Sequence, residues 1–254
     1  MSNLTLKSTN PADLQFKISI CKGRKMSEHS YKAVVFDFNG TLFQDSDFNE
    51  EAWRRFLHKT FHASVDDADF MRFFHGRPNS FIFSHYMGRE LTPEEVHHLS
   101  EDGKEALYRS LVLEHPERLT LTEGAPELLD RLKAADVPVS IATAAGRGNM
   151  DFYFEHLGIG RWFDYDTNII YNDGKLPGKP EPDIYLKSFE KIGSAPEETI
   201  VVEDALLGLE SAERAGAGMI VGIDPAGTNG LNSVAGVDHV IASFKDWQDS
   251  WVMA

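Results

Sequence analysis

The sequence of 254 residues contains one cysteine, Cys21, and therefore cannot form an internal disulfide or a zinc cluster built on several thiolates. Nothing in its cysteine usage indicates an oxidising compartment. It also lacks any run close to the roughly 20 apolar residues that span a bilayer, and its N-terminus lacks the apolar stretch of a signal peptide. These absences predict a cytoplasmic protein that does not associate with membranes.

Positive charge is scarce, since 25 Lys and Arg residues face 40 Asp and Glu residues and give a formal net charge of −15. Such a chain repels nucleic acid and anionic lipid unless a local basic patch overcomes the repulsion, and no such patch is present. We therefore expect no nucleic-acid partner. A site for a phosphate ester would have to gather its own cations.

Short apolar runs with β-branched residues recur along the chain and are typical of buried parallel strands. Helical patterns, such as the one from Ala125 to Ala135, separate them. This alternation predicts an α/β fold with a parallel sheet. The predicted strands are Ala33 to Phe38, Val137 to Thr143, Thr199 to Asp204, Met219 to Asp224 and His239 to Ala242.

Helical, charged and aromatic stretches replace the strand pattern between the first two strands, which indicates an inserted helical cap. Within it, Thr92, Pro93 and Glu95 form the start signal of a helix from Thr92 to Leu113. We predict a loosely ordered extension at 1–30, a core at 31–43 and 117–254, and a cap at 44–116. The expected assembly is a monomer or a weak homodimer. The other predicted cap helices are Asn49 to Phe61, Asp66 to Phe74 and Asn79 to Met87.

Acidic residues stand where two of the predicted strands end. Asp37 is followed by Asn39, Gly40 and Thr41, and Glu203-Asp204 closes another strand. An acid at a strand end is by itself more often a turn former or a helix cap. Two adjacent carboxylates repel each other, however, and a hard cation bound by oxygen ligands would offset that repulsion.

Two further segments could bind an anion. Lys179 follows Gly178 and lies in a proline-bounded stretch that leads into a helix. Thr143 and Ala144 follow the second strand, where a hydroxyl and free backbone N–H groups could hold phosphoryl oxygens at a helix start. Taken alone, Thr143 is better explained as a helix cap.

Together these four segments resemble, in order and position, the four motifs of the haloacid dehalogenase superfamily. The resemblance implies a Rossmann-like core with an inserted α-helical cap and an enzyme that transfers phosphoryl groups. It further implies that Asp37 is the nucleophile, that Lys179 steadies the charges and that Thr143 and Ala144 bind the phosphoryl group. Mg²⁺ would be bound by Asp37, by the backbone carbonyl of Asn39, by Asp204 and, more weakly, by Glu203.

The start of the cap is similar to the β-phosphoglucomutase-like and phosphatase branch. In that branch a cap loop faces the substrate, and Gly76 and Arg77 match it. The resemblance thus implies hydrolysis of a small phosphorylated metabolite, such as a sugar phosphate, through an aspartyl-phosphate on Asp37. His75 and His85 lie near this loop in the sequence and could exchange protons.

Asn39 departs from the pattern, because phosphatases and mutases of the superfamily usually carry an acid/base aspartate there. An amide does not exchange protons at useful pH, so about 10² to 10⁴ in rate is at stake. Three interpretations remain open: a phosphatase, a sugar phosphomutase, and a pseudo-enzyme that binds phosphates without turning them over.

Overall fold

A computed structural model describes residues 30–252 except 68, 69, 71, 72, 75 and 76. Its centre is a six-stranded sheet in the order β3-β2-β1-β4-β5-β6, in which every pair of neighbouring strands is parallel. The first strand in the sequence, β1, therefore lies in the interior of the sheet. The strands are β1 (Ala33–Phe36), β2 (Val139–Gly146), β3 (Ile169–Asn172), β4 (Thr199–Glu203), β5 (Met219–Ile223) and β6 (His239–Ile241).

A segment between β1 and β2, which we call the lid, is helical and spans residues 46–113. Its first helix begins at Ser46, three residues before the predicted start, and the predicted helix at Asp66 to Phe74 includes residues outside the described set. Thr92 caps the third helix through a reciprocal bond with Glu95. The lid helices are α1 (Ser46–Phe61), α2 (Asn79–Met87), α3 (Pro93–His97), a π-helix (His98–Glu105) and α4 (Ala106–Leu113).

Helices cover both faces of the sheet, so its strands are buried on each side. Val34 and Phe36 of β1 join one hydrophobic cluster, and Val35 joins the other. This accounts for the continuous apolar runs in the sequence. When both faces of a strand are buried, apolar and polar residues do not alternate along it. The helices of the core are α5 (Ala125–Ala134), α6 (Arg147–Leu157), α7 (Asp183–Ile192) and α8 (Leu206–Arg214).

The predicted parallel α/β fold with an inserted helical segment is confirmed, and all five predicted strands are present. The sequence reading missed β3, a short edge strand. It also ended β2 too early, because this strand continues to Gly146 and the next helix begins at Arg147, so Thr143 does not cap it. The helix predicted from Thr92 to Leu113 is present without a break from Pro93 to Leu113, with a π-helical stretch at His98–Glu105 between its two α-helical parts.

No helix in the described part of the chain is long and apolar enough to cross a membrane. The division into core and cap at the predicted boundaries stays a prediction, and the extension at 1–30 lies almost entirely outside the described residues.

Candidate active site

The carboxyl ends of β1 and β4 bring three predicted site residues together. Asp37 directly follows β1, and Glu203 is the last residue of β4. Lys179, from the loop before α7, donates to Oδ1 of Asp37 at 2.6 Å and also to Oε1 of Glu203. Each of these three side chains is more than nine-tenths buried. The ammonium group therefore links two carboxylates in a buried cluster.

Asp204 adds a further carboxylate to this cluster. One ligand oxygen from each of Asp37, Glu203 and Asp204 can be chosen so that all lie within 4.8 Å of one another. Gly40 makes room for this arrangement, because a Cβ added there would lie 2.1 Å from Oδ2 of Asp204. Its positive φ of 78° would also strain a larger residue.

Burial raises the pKa of Asp37 to about 7, although the neighbouring ammonium of Lys179 lowers it. Burial likewise raises the pKa of Asp204 well above its usual range, and the carboxylates of Glu203 and Asp37 add to the effect. Three carboxylates thus share one ammonium group. This excess of negative charge, presented by oxygen atoms, fits a hard divalent cation such as Mg²⁺.

Glu203 differs from the other two acids because four donors already reach its oxygens. Lys179 and the hydroxyl of Tyr185 donate to Oε1, and the backbone N–H groups of Asp204 and Ala205 donate to Oε2, each at 2.9 Å. This set of bonds suits a residue that positions Lys179. The predicted role of Glu203 as a metal ligand stays a prediction.

Asn39 lies in a buried polar network at the start of the lid. Its amide Nδ2 donates to Oδ2 of Asp45 and to the hydroxyl of Tyr153, both at 2.6 Å. The hydroxyl of Tyr108, from lid helix α4, donates to the same carboxylate, and the N–H of Gly40 donates to Oδ1 at 3.0 Å. The asparagine is therefore the neutral partner of a buried acid.

Asp45, Tyr108 and Tyr153 are almost completely buried. Burial raises the pKa of Asp45 to about 6, although the hydrogen bonds from Tyr108 and Asn39 lower it. The network joins the loop after β1, the lid and α6. Sequence reasoning missed all three residues as site components; only Asp45 carried a signal, as an acidic residue at the start of the predicted cap.

Thr143 and Ala144 lie in β2, next to β1. The register pairs Phe36 with Ile141, so Thr143 stands just beyond the level of Asp37 on the neighbouring strand. Its Oγ1 accepts a bond from the N–H of Ala145 at 3.1 Å. Ala144 is exposed and lines the cleft described below.

The predicted cap loop is only partly described, since Gly76 and His75 lie outside the described residues. Arg77 stacks on Phe81, with its guanidinium carbon 4.5 Å from the ring centroid, and its buried Nε has no hydrogen-bond partner among the described residues. Pro78 packs against Gly178, where an added Cβ would lie 3.1 Å from the proline ring. Pro78 thus lies over the segment that carries Lys179. His85 packs on Phe73 within the lid.

A cleft of about 1110 Å³ lies between the lid and the carboxyl edge of the sheet. Lys179 and Ala144 line its core side, and Pro78 and Asn79 belong to its lid side. The cleft therefore leads to the cluster around Asp37.

Comparison with known proteins agrees with this geometry. Residues 31–216 match the family described as haloacid dehalogenase-like hydrolase. The chain belongs to this hydrolase family. It is 30% identical over 186 residues to the validoxylamine A 7'-phosphate phosphatase of Streptomyces hygroscopicus subsp. limoneus, with 73% of this chain and 83% of that protein covered.

A second relative is hexitol phosphatase A of Escherichia coli, 30% identical over 213 residues, with 82% of this chain and 90% of that protein covered. Among solved structures, a family IA hydrolase from Entamoeba histolytica is 33% identical, has a TM-score of 0.76 and covers 87% of this chain and 96% of its own. The predicted superfamily and hydrolase class are confirmed. Solved β-phosphoglucomutase-like structures, each 24% identical, share the fold.

The Tyr108→Phe variant tests the network around Asp45. We expect a loss of about 1.5–3 kcal/mol in the free energy of unfolding, because a buried carboxylate loses a hydroxyl donor. Denaturant unfolding at neutral pH measures it. The control is Tyr165→Phe, which removes a bond of 2.7 Å to the exposed Asp151 and should change stability by less than about 0.5 kcal/mol. Equal losses in both variants would contradict the assigned role.

The Asn39→Asp variant places a second carboxylate against Asp45. Both would be buried and close together, so their folded pKa values would lie above the unfolded values. The loss of stability should therefore be small near pH 5, where one carboxyl is protonated, and grow as pH rises to 8. Thermal unfolding at both pH values measures it, with Asn232→Asp on the surface as the control. An unchanged melting temperature at pH 8 would mean that residue 39 does not face Asp45.

Proposed function

We propose that this hydrolase is a Mg²⁺-dependent phosphatase that acts on a small phosphorylated metabolite of the sugar or sugar-alcohol class. The observation that carries the proposal is the buried Asp37 carboxylate, which accepts a hydrogen bond from Lys179. Lys179 also lines a cleft that is large enough for such a substrate. The names of two relatives, a validoxylamine A 7'-phosphate phosphatase and a hexitol phosphatase, support this substrate class.

In the proposed mechanism Asp37 attacks the phosphorus atom of the ester. A bond forms between its carboxylate oxygen and phosphorus, the bond from phosphorus to the alcohol oxygen breaks, and this oxygen takes a proton from water in the cleft. A second water then attacks the phosphorus of the aspartyl-phosphate and gives a proton to the hydroxide left by the first water. The bond from phosphorus to Asp37 breaks, which releases inorganic phosphate and restores the carboxylate. Lys179 holds the Asp37 carboxylate in place and offsets its charge, as phosphoryl transfer requires.

Mg²⁺ would be held by the carboxylates of Asp37 and Asp204 and by the backbone carbonyl of Asn39, and would supply positive charge for the phosphoryl oxygens. Thr143 and Ala144 would bind those oxygens from β2, the strand beside β1. Glu203 would orient Lys179 through the bond to its ammonium group. Gly76 and Arg77 stay candidates for substrate contact from the lid.

Asn39 cannot supply the proton that an aspartate at this position would provide. Both hydrogens of its amide are used by Asp45 and Tyr153. Proton transfer through water is consistent with this arrangement, and we expect turnover slower than that of relatives with an aspartate at this position.

Release of inorganic phosphate from a panel of sugar, sugar-alcohol and nucleotide phosphates with Mg²⁺ tests the function. We expect turnover by the natural protein and a loss of roughly 10³-fold or more in Asp37→Asn, because the nucleophile is removed. The control Asp249→Asn changes a surface aspartate that pairs with Arg131 and should retain full activity.

Three outcomes would contradict the proposal. Retained phosphate release in Asp37→Asn would exclude Asp37 as the nucleophile. Interconversion of hexose 1- and 6-phosphates without release of phosphate would identify a mutase. Binding of these esters without any turnover would identify a pseudo-enzyme.

The metal site can be tested without an activity measurement. In the absence of metal, Asp204→Asn should raise the melting temperature by about 2–4 °C, because it removes a carboxylate that is repelled by Asp37 and Glu203. Added Mg²⁺ should raise the melting temperature of the natural protein and leave that of this variant almost unchanged. A rise of equal size in both proteins would place the metal elsewhere, and Asp249→Asn again serves as the control.

A further inference from the structure

The wall of the cleft beyond Lys179 is rich in charged groups, most of them acidic. It carries two guanidinium groups, those of Arg109 in the lid and Arg147 in the core. Substrate groups remote from the transferred phosphate would meet this wall. Its carboxylates belong to Glu101, Asp102, Glu105, Asp151 and Asp173.

The guanidinium of Arg109 is already bound to neighbouring groups. Its Nη1 donates to Oε2 of Glu101 at 3.2 Å and to Oδ1 of Asn149 at 2.8 Å, and its Nη2 donates to the backbone carbonyl of Glu101 at 3.2 Å. The charge of this cation is therefore offset within the wall.

Arg147 is engaged in a similar way on the core side. Its Nε donates to Oδ1 of Asp151 at 2.9 Å, and its guanidinium carbon lies 3.7 Å from the ring centroid of Tyr165. The lid cation Arg77, which stacks on Phe81, is not among the residues of the wall. Each of the two guanidinium groups of the wall therefore already has a carboxylate partner. Neither is available to bind a second anionic group of a substrate.

Glu101 occupies the position at the start of α6 where backbone N–H groups would otherwise favour a second anionic group of a substrate. Its carboxylate lies against the start of α6, where a Cβ added to Gly148 would be 2.3 Å from Oε2 and one added to Gly146 would be 3.1 Å from Oε1. The start of a helix attracts anions through its free N–H groups and its dipole. A lid carboxylate therefore fills this position beside the Thr143-Ala144 segment.

We infer that Glu101 is a specificity-determining residue that restricts the enzyme to phosphate monoesters with no second anionic group. The remainder of the substrate would be neutral or positively charged, such as a polyol or an amino sugar. The enzyme would reject a bisphosphate for two reasons. Glu101 repels the second phosphate, and Arg109 is already paired with Glu101. This inference rests on the proposed phosphatase function.

The same wall is unsuited to a phosphomutase. Transfer of a phosphoryl group from an aspartate to a sugar phosphate yields a sugar bisphosphate, which a mutase must hold while its two phosphates exchange places. Such an enzyme needs a cation for the distal phosphate, and Arg109 and Arg147 are both engaged with carboxylates.

The test compares three probes that differ in remote charge: a hexose 6-phosphate, the corresponding 1,6-bisphosphate and the 2-amino 6-phosphate. For the natural protein we expect kcat/KM for the bisphosphate to be at least about tenfold below that for the monophosphate. The amino sugar should match or exceed the monophosphate. In Glu101→Gln the bisphosphate should gain at least about fivefold relative to the monophosphate, because Arg109 loses its charged partner.

The matched control is Glu114→Gln, an exposed glutamate after α4 that does not line the cleft. Its selectivity should equal that of the natural protein. Equal kcat/KM for the mono- and bisphosphate in the natural protein, or an unchanged ratio in Glu101→Gln, would overturn the inference.

Calorimetric binding of the same three compounds to the natural protein and to Glu101→Gln separates this inference from the proposed function. If no compound is hydrolysed, the phosphatase proposal fails. The role of Glu101 is still supported in that case if the bisphosphate binds the natural protein more weakly than the monophosphate and this difference is reduced in Glu101→Gln. Equally tight binding of mono- and bisphosphate to the natural protein would refute that role whether or not turnover is seen.

Discussion

The buried ammonium group of Lys179 is the constraint on which the site depends. It donates to Asp37 and Glu203, and both carboxylates are almost completely removed from water. Removing one partner from a buried charge pair generally costs about 3–5 kcal/mol, because the other charge stays buried without compensation. The loop before α7 is therefore held against the ends of β1 and β4, and the Asp37 carboxylate is fixed in place.

The lid is attached to this centre by polar contacts. Tyr108 reaches the Asp45 carboxylate beside the loop after β1, while Glu105 accepts a bond of 2.7 Å from Asn149 of α6. Arg109 donates to the same asparagine. Directional bonds of this kind require particular positions of both partners, so they define the orientation of the lid more strictly than apolar contacts would. The electrostatic character of the cleft follows from that orientation.

Much of this arrangement could be predicted from the sequence, because strand ends carry positional information. In a parallel sheet all carboxyl ends share one edge, so Asp37 and Asp204 were expected to be close together. The polar network around Asn39 could not be found in this way: its members Tyr108 and Tyr153 are 45 residues apart and meet only through packing of the lid against α6. The edge strand β3 was missed, and the π-helix within the lid has no simple signature in hydrophobic periodicity.

The apolar residues of the lid fall into two groups. Phe48, Tyr108 and Leu111 belong to the cluster that also contains β1, whereas Trp53, Phe74 and Phe83 form a separate aromatic cluster farther along the lid. The outer part of the lid therefore has its own hydrophobic core. For protein engineering, substitutions at Trp53, Phe74 or Phe83 therefore act first on packing within the lid, whereas substitutions at Phe48, Tyr108 or Leu111 also disturb the cluster that contains β1.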